Sequence, residues 1–149
     1  MTSTTIATLA AYATLAVNAV AGAFAGWRWW IVEPHRAVWP LLRSGQVVAA
    51  LWALVAGALA ISGWKPADDL YWLYALLPLA VGFVAEQLRV AAAEQVLEQR
   101  GLADAQSVGT LPEAAQRSVV LAVVRREFGV MALASLVVAF LALRGALIG

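Results

Sequence analysis

Residues 6–26 of the chain read IATLAAYATLAVNAVAGAFAG, an uninterrupted apolar run without a charged side chain. A helix needs about 20 apolar residues to cross the hydrocarbon core of a bilayer, so this run is long enough to span one. Three further runs are similarly long and predominantly apolar, namely residues 41–61, 70–90 and 124–143. The sequence therefore predicts an all-α fold, an integral membrane four-helix bundle in which residues 1–149 form a single domain.

The composition agrees with a membrane protein and excludes several kinds of chemistry. The chain is 63% hydrophobic and 13% charged, with a mean hydropathy of +0.81, whereas soluble domains are about 25% charged. It has no cysteine and one histidine, so thiolate chemistry, iron–sulfur clusters and an intrachain bis-histidine haem are excluded. We therefore predict no metal site and no resident cofactor; a quinone or a lipid is the alternative, and haem is disfavoured. The net charge of +1 predicts no attraction for nucleic acid.

The third and fourth predicted helices are longer than the membrane is thick. Helix-forming residues continue past residue 90 to Arg100, and Gly101 ends the pattern. The fourth helix is expected to begin at the capping-box sequence Thr110-Leu-Pro-Glu113 and to end near Gly145. At 1.5 Å per residue these helices measure about 46 and 50 Å, against a core of roughly 30 Å. We predict that both extend beyond the bilayer as a cytoplasmic hairpin.

Basic residues are distributed unevenly between the two sides of the predicted topology. The side with the first and third loops holds eight arginines, which are Arg28, Arg36, Arg43, Arg89, Arg100, Arg117, Arg125 and Arg126. The other side holds only Lys65 and Arg144. The positive-inside rule therefore places loops 1 and 3 in the cytoplasm and both termini outside. Because no basic residue precedes the first apolar run, we interpret that run as a retained helix in the cell membrane and not as a secretory signal. The alanine- and arginine-rich composition favours a bacterial inner membrane.

A stripe of small residues lies on one face of the first predicted helix. Asn18, Gly22 and Gly26 recur at every fourth position, and such stripes let helix backbones approach closely in lipid. Asn18 is predicted to lie near the middle of the membrane, where its amide needs a hydrogen-bond partner. We assign these three residues to helix packing and expect Asn18 to bond between helices, with a role in transport as the alternative.

Ionisable and amide side chains near the cytoplasmic ends of the helices form the candidate site. Matching the outer ends of helices 3 and 4 places Glu86 opposite Glu127 and Arg89 opposite residue 124. Matching helix 2 with helix 4 brings Arg43 and Gln46 to the same depth. The candidate ligand-binding residues are Arg43, Gln46, Glu86, Arg89, Arg126, Glu127 and His35. Ionisable groups at this depth indicate a function unless they are paired or hydrated.

Two interpretations of these residues stay open. In the first, the charges neutralise one another, as Glu86 and Arg89 can at a spacing of three residues, or the arginines extend to lipid headgroups. In the second, guanidinium groups bind an anionic head while the bundle holds an apolar tail. Quinones, isoprenoid phosphates, fatty acids and lipids have that shape. His35 would need a second histidine from another subunit to bind haem.

No motif in the sequence identifies a reaction. We therefore predict a small polytopic membrane protein that acts as a self-associating or accessory (scaffold) subunit without catalysis of its own. The first alternative is a binder or enzyme for an amphipathic anionic or quinone-type ligand at the inner-leaflet arginine and glutamate residues. The second is a small oligomeric transporter or channel, which the scarcity of mid-membrane polar groups disfavours. The expected partners are membrane lipids and a homo-oligomer or a larger membrane complex.

Overall fold

The computed structural model describes residues 1–149, and every regular element in it is helical. The four long helices are α1 (Ser3–Ile31), α2 (Val38–Ile61), α3 (Leu70–Gln99) and α5 (Glu113–Ile148), and the one-turn helix α4 (Ala105–Val108) lies between α3 and α5. Each long helix has the length and the apolar composition needed to cross a membrane. The prediction of an all-helical chain with four such helices is confirmed, and these helices indicate a multi-pass membrane protein.

Local signals account for three of the helix ends. The Thr2 side chain accepts a hydrogen bond from the backbone N–H of Thr5 and so caps the start of α1. The chain leaves α2 through Gly63, with φ of 80°, and leaves α3 through Gly101, with φ of 68°. Glycine adopts these left-handed conformations without a steric penalty, which fits its position after a helix end.

The connection between α3 and α5 differs from the predicted loop. Helix α4 forms there because the Asp104 carboxylate accepts hydrogen bonds from the backbone N–H and the hydroxyl of Ser107, at 2.8 and 2.9 Å. These two bonds lower the pKa of the Asp104 carboxyl. The predicted capping box at Thr110 does not form. The Thr110 hydroxyl instead donates to the carbonyl of Ser107, and Pro112 precedes the first residue of α5.

Helix α5 also ends later than predicted. It continues through Gly145 to Ile148. Gly145 therefore does not terminate the helix, and its role is to allow a close packing contact. A Cβ atom at residue 145 would lie 2.6 Å from Cζ2 of the Trp52 ring, so only glycine leaves room for that ring. Trp52 itself is 1% exposed.

Neighbouring helices pack antiparallel in the order α1, α5, α3, α2 and back to α1. The contact between α1 and α5 is the most extensive, and that between α2 and α3 is the sparsest of the four. Both chain termini lie at one end of the molecule, called here the terminal end. The opposite end, which carries the α1–α2 connection and residues 99–113, is called the hairpin end.

The stripe of small residues on α1 packs against its two neighbours. Asn18 is 2% exposed, and its amide nitrogen donates to the Gly45 carbonyl of α2 at 3.0 Å and to the Thr14 carbonyl within α1 at 3.0 Å. A Cβ atom at Gly22 would lie 2.8 Å from Cγ of Leu136 on α5. Gly26 is less closely packed, since a Cβ atom there would meet no atom nearer than 3.9 Å. The small-residue stripe is therefore already used for packing between helices of the same chain.

Candidate functional site

Glu86 of α3 lies at the centre of a hydrogen-bond network toward the hairpin end. Its Oε1 accepts from Arg43 Nη1 and from Gln46 Nε2, the latter at 2.9 Å, and both donors belong to α2. Its Oε2 accepts from Arg89 Nε at 3.0 Å and from Arg43 Nη2 at 3.4 Å. Each carboxylate oxygen thus has two donors, which fills the usual capacity of the group.

Arg89 extends the network to α5 by donating from Nη1 to Glu127 Oε1 at 3.1 Å. We call Arg43, Gln46, Glu86, Arg89 and Glu127 the Arg/Glu cluster. Its two arginines and two glutamates balance in charge. Pairing of this kind removes most of the electrostatic penalty that a lone charge in an apolar surrounding would carry.

The register predicted for α3 and α5 is wrong by about one helical turn. Glu86 was expected opposite Glu127 and Arg89 opposite residue 124, but Arg89 pairs with Glu127. Matching helix ends cannot fix register this finely, since α5 ends at Ile148, five residues beyond the position used for the match. The observed register replaces a contact between two like charges with an ion pair.

Trp39 belongs beside the Arg/Glu cluster and was not identified from the sequence. The guanidinium carbons of Arg43 and Arg89 lie 5.9 and 5.5 Å from its ring centroid, within the range of a cation–π contact. The ring also meets Phe128 of α5 edge-on, at 5.8 Å between centroids. The sequence feature that could have identified Trp39 is its position one helical turn before Arg43 on the same helix.

Two predicted site residues lie outside the Arg/Glu cluster. Arg126 donates to the side-chain oxygens of Gln95 and Gln99 on α3, each at 3.2 Å, and so joins the two helices nearer the hairpin end. His35 lies in the α1–α2 connection, where its Nδ1 accepts from the backbone N–H of Ala37 at 3.1 Å. Its ring packs edge-on against Phe24, at 5.6 Å between centroids. These contacts give both residues a local structural role.

A cavity of about 270 Å³ adjoins the Arg/Glu cluster on the side of the terminal end. It lies between α2, α3 and α5, and Asn18 of α1 also lines it. Most of its wall is apolar, and Gly82 and Pro78 of α3 leave space there because neither carries a long side chain. Phe83, at the rim, is 67% exposed, so the cavity opens to the outside where α2 and α3 are in sparse contact.

Polar groups with unused hydrogen-bonding capacity face this cavity. Asn18 makes both of its hydrogen bonds through the amide nitrogen, which leaves Oδ1 as an acceptor. Ser135 is 6% exposed and its hydroxyl has no hydrogen-bond partner in the chain. Every fully enclosed side-chain oxygen or nitrogen does have a partner, so the Ser135 hydroxyl is reached from the cavity. Gln46 uses one amide hydrogen on Glu86 and keeps a second.

A second hollow lies on the outer face of α3 and α5 and has a volume of about 430 Å³. All ten residues that line it are hydrophobic, including Leu77, Val84 and Leu133. Because it has no polar group, it cannot fix the orientation of a ligand or select one ligand over another. No group of three or more histidine, aspartate or glutamate side chains is placed to hold a metal ion.

Comparisons with protein-family models, with characterised proteins and with solved structures find no match for this chain. A functional assignment therefore rests on the geometry of the cavity and of the Arg/Glu cluster. Together they describe an α-helical, multi-pass protein with a side opening between two of its helices.

Proposed function

We propose that this protein is a four-helix integral membrane protein that binds an uncharged amphipathic lipid in the cavity between α2, α3 and α5. The observation that carries the proposal is the cavity itself, which combines apolar walls with convergent polar groups from Asn18, Gln46 and Ser135. Small-molecule sites in proteins have this composition, and in helical membrane proteins they form between packed helices. The chain would act by binding and would need no catalysis of its own.

The proposed topology follows from the distribution of basic residues. Loops 1 and 3 face the cytoplasm of a bacterial cell and both termini lie outside. The hairpin end then projects from the membrane, and the Arg/Glu cluster lies at the depth of the inner leaflet. The cavity lies deeper, near the middle of the hydrocarbon core, because Asn18 is about halfway along α1.

The pairing within the Arg/Glu cluster favours a ligand without charge. An anionic head would have to displace Glu86 from Arg43 or Glu127 from Arg89, and the displaced carboxylate would lose its partner. Because these side chains are partly exposed, separating such a pair is unfavourable by about 1–2 kcal/mol, between the values for exposed and for buried ion pairs. An uncharged head meets no such obstacle, because the polar groups of the cavity lie beside the cluster and are free to bond.

The size of the cavity favours a ligand that is only partly enclosed. Its volume of about 270 Å³ is below that of most pockets that enclose a small molecule, which hold about 300–1,000 Å³. We infer that the head and the first part of the tail occupy the cavity. The rest of the tail then leaves between α2 and α3 into the surrounding lipid. Quinone-type molecules, prenols and acylglycerols have this form.

Binding ranks ahead of the scaffold function predicted from the sequence. Self-association needs an open packing face such as the small-residue stripe of α1, but Gly22 of that stripe packs against Leu136 inside the chain. The oligomeric transporter is also less well supported. Beyond the cavity, the way to the terminal end is filled by the buried rings of Trp52 and Tyr71.

Filling the cavity tests the proposal. Gly82 lines it, and a Cβ atom there would meet nothing within 4 Å, so Gly82→Leu should place a side chain in the cavity without distorting the helix. Gly57 of α2 is equally free of neighbours and does not line the cavity, which makes Gly57→Leu the matched control.

The measurement is native mass spectrometry of protein extracted gently from its own membrane. We expect the unaltered protein and Gly57→Leu to retain an uncharged lipid, and Gly82→Leu to lose it. An unaltered protein that carries no small molecule, or equal retention by both variants, would contradict the proposal. A complex with another polypeptide and no lipid would favour the accessory subunit instead.

A further inference from the structure

We propose that the cavity selects a lipid whose head carries a hydroxyl group, and that Asn18 and Ser135 are the residues that make the selection. This inference rests on the proposed function and narrows it to one chemical class. Some hydrogen-bonding positions around the cavity are already used by the chain, and others are free.

Asn18 supplies an acceptor that only a donor on the ligand can satisfy. Its amide nitrogen is committed to the carbonyls of Thr14 and Gly45, each at 3.0 Å, so the orientation of the amide is fixed. Its Oδ1 therefore has a set position close to Gly45, where no N–H or O–H of the chain donates to it and where it is not fully enclosed. An unpaired amide oxygen at this depth in a membrane is unfavourable, so a ligand that donates a hydrogen bond to it is favoured.

Ser135 supplies the complementary group. Its hydroxyl is unpaired, nearly buried and reached from the cavity, so it can donate to an oxygen of the ligand. The free amide hydrogen of Gln46, a residue of α2 that also lines the cavity, is a second donor. A hydroxyl head both donates and accepts, and it can satisfy Asn18 and Ser135 together. A ketone or aldehyde accepts only and leaves Asn18 unpaired.

Glu86 does not compete for the ligand, although it also borders the cavity. Both of its oxygens are filled by donors from Arg43, Gln46 and Arg89. Its charge is balanced by Arg43 and Arg89, so the Arg/Glu cluster offers no net positive charge to a carboxylate or phosphate head. The class that remains comprises membrane alcohols, such as prenols, quinols and diacylglycerols.

Farnesol and farnesal test this selection because they share a carbon skeleton and differ in whether the head can donate. Their binding to the purified protein is measured in phosphatidylcholine nanodiscs, with empty nanodiscs as the background. We expect farnesol to bind about tenfold more tightly than farnesal, the effect of one hydrogen bond whose loss leaves a buried acceptor unpaired. Farnesoic acid is expected to bind most weakly of the three.

Variants of Ser135 test the residue directly. Ser135→Ala should weaken farnesol binding about tenfold, because it removes the hydroxyl and little volume. Ser135→Thr keeps the hydroxyl and should bind as the unaltered protein does. Thermal unfolding of both variants without ligand checks that neither has lost its fold.

The outcomes separate this inference from the proposed function. If farnesol and farnesal bind equally and Gly82→Leu abolishes both, the lipid site stands and the hydroxyl selection is wrong. If Gly82→Leu changes neither, the proposed function fails and the selection fails with it. Tightest binding of farnesoic acid would overturn the selection in favour of an anionic ligand at the Arg/Glu cluster.

Competition experiments distinguish the sources of the hydroxyl. Displacement of farnesol by a short-tailed quinol, but not by the matching quinone, would indicate an electron-carrier lipid. Displacement by dioctanoylglycerol would indicate a glycerolipid. Equal displacement by the quinol and its quinone would contradict the selection, because the quinone has no hydroxyl to donate.

Discussion

The contact between α1 and α5 and the contact between α2 and α3 are built in opposite ways. The first relies on small residues, with Gly22 against Leu136 and an extended run of close backbone approach. The second is sparse and is fastened at two places, by Glu86 near the hairpin end and by Trp52 with Tyr71 near the terminal end. The difference separates a contact in which the helices pack tightly from one that leaves a cavity.

The largest effect is expected at the close contact. Gly22→Leu introduces a Cβ atom 2.8 Å from Leu136 Cγ and 3.1 Å from the Ala132 carbonyl oxygen, and the remaining atoms of the new side chain have no room. We expect a loss of about 3 kcal/mol in the free energy of unfolding. It is measured by unfolding in mixed micelles with increasing dodecyl sulfate.

Gly57→Leu is the control for that experiment, because a Cβ atom at residue 57 meets nothing within 4 Å. It carries the same substitution in another apolar helix and should change the stability by less than about 0.5 kcal/mol. An equal loss of stability in the two variants would show that replacing a helical glycine is destabilising in itself. The close packing of α1 on α5 would then not explain the effect of Gly22→Leu.

The two contacts were not equally accessible to prediction from the sequence. The four apolar helices follow from hydropathy, and the small residues of α1 indicated a packing face because their spacing matches the helical repeat. The meeting of Arg43, Gln46 and Glu86 was also predictable, since depth follows from the distance to the helix ends. These features depend on one helix at a time, or on depth alone.

The cavity and the exact ion pairs depend on how the helices are rotated and how far they slide. A shift of one turn decides whether Glu127 meets Glu86 or Arg89, and end matching does not resolve such a shift. The space beside Pro78 depends on the sparse contact between α2 and α3 as well as on the short side chains of Pro78 and Gly82. Ser135 is one hydroxyl among many in the sequence, and only its place on the cavity wall distinguishes it.

The fastening at Glu86 is expected to contribute less than the close contact. Glu86→Gln removes the charge that Arg43 and Arg89 share, but Arg89 keeps Glu127 and the Arg43 side chain is 49% exposed, so water can replace part of the loss. We expect a decrease of about 1–2 kcal/mol in the free energy of unfolding, between the values for exposed and for buried ion pairs.

Glu94→Gln is the matched control for Glu86→Gln, because Glu94 is exposed on the same helix and has no salt bridge. It should leave the stability unchanged within about 0.5 kcal/mol. If Glu86→Gln is as stable as this control, the Arg/Glu cluster does not fasten α2 to α3. The guanidinium groups would then be available to an anionic ligand after all.

The smallest effect is expected at the other fastening, where Trp52 Nε1 donates to the Tyr71 hydroxyl at 3.2 Å. Tyr71→Phe keeps the ring and its edge-on contact with Trp52, but leaves the buried Trp52 N–H without an acceptor. We expect a loss of about 1 kcal/mol in the same unfolding measurement. Farnesol binding should not change, because neither ring lines the cavity. If the variant lost farnesol binding without losing stability, the tail of the ligand would have to reach the terminal end. The tail would then run along α2 and α3 and would not leave the protein between them.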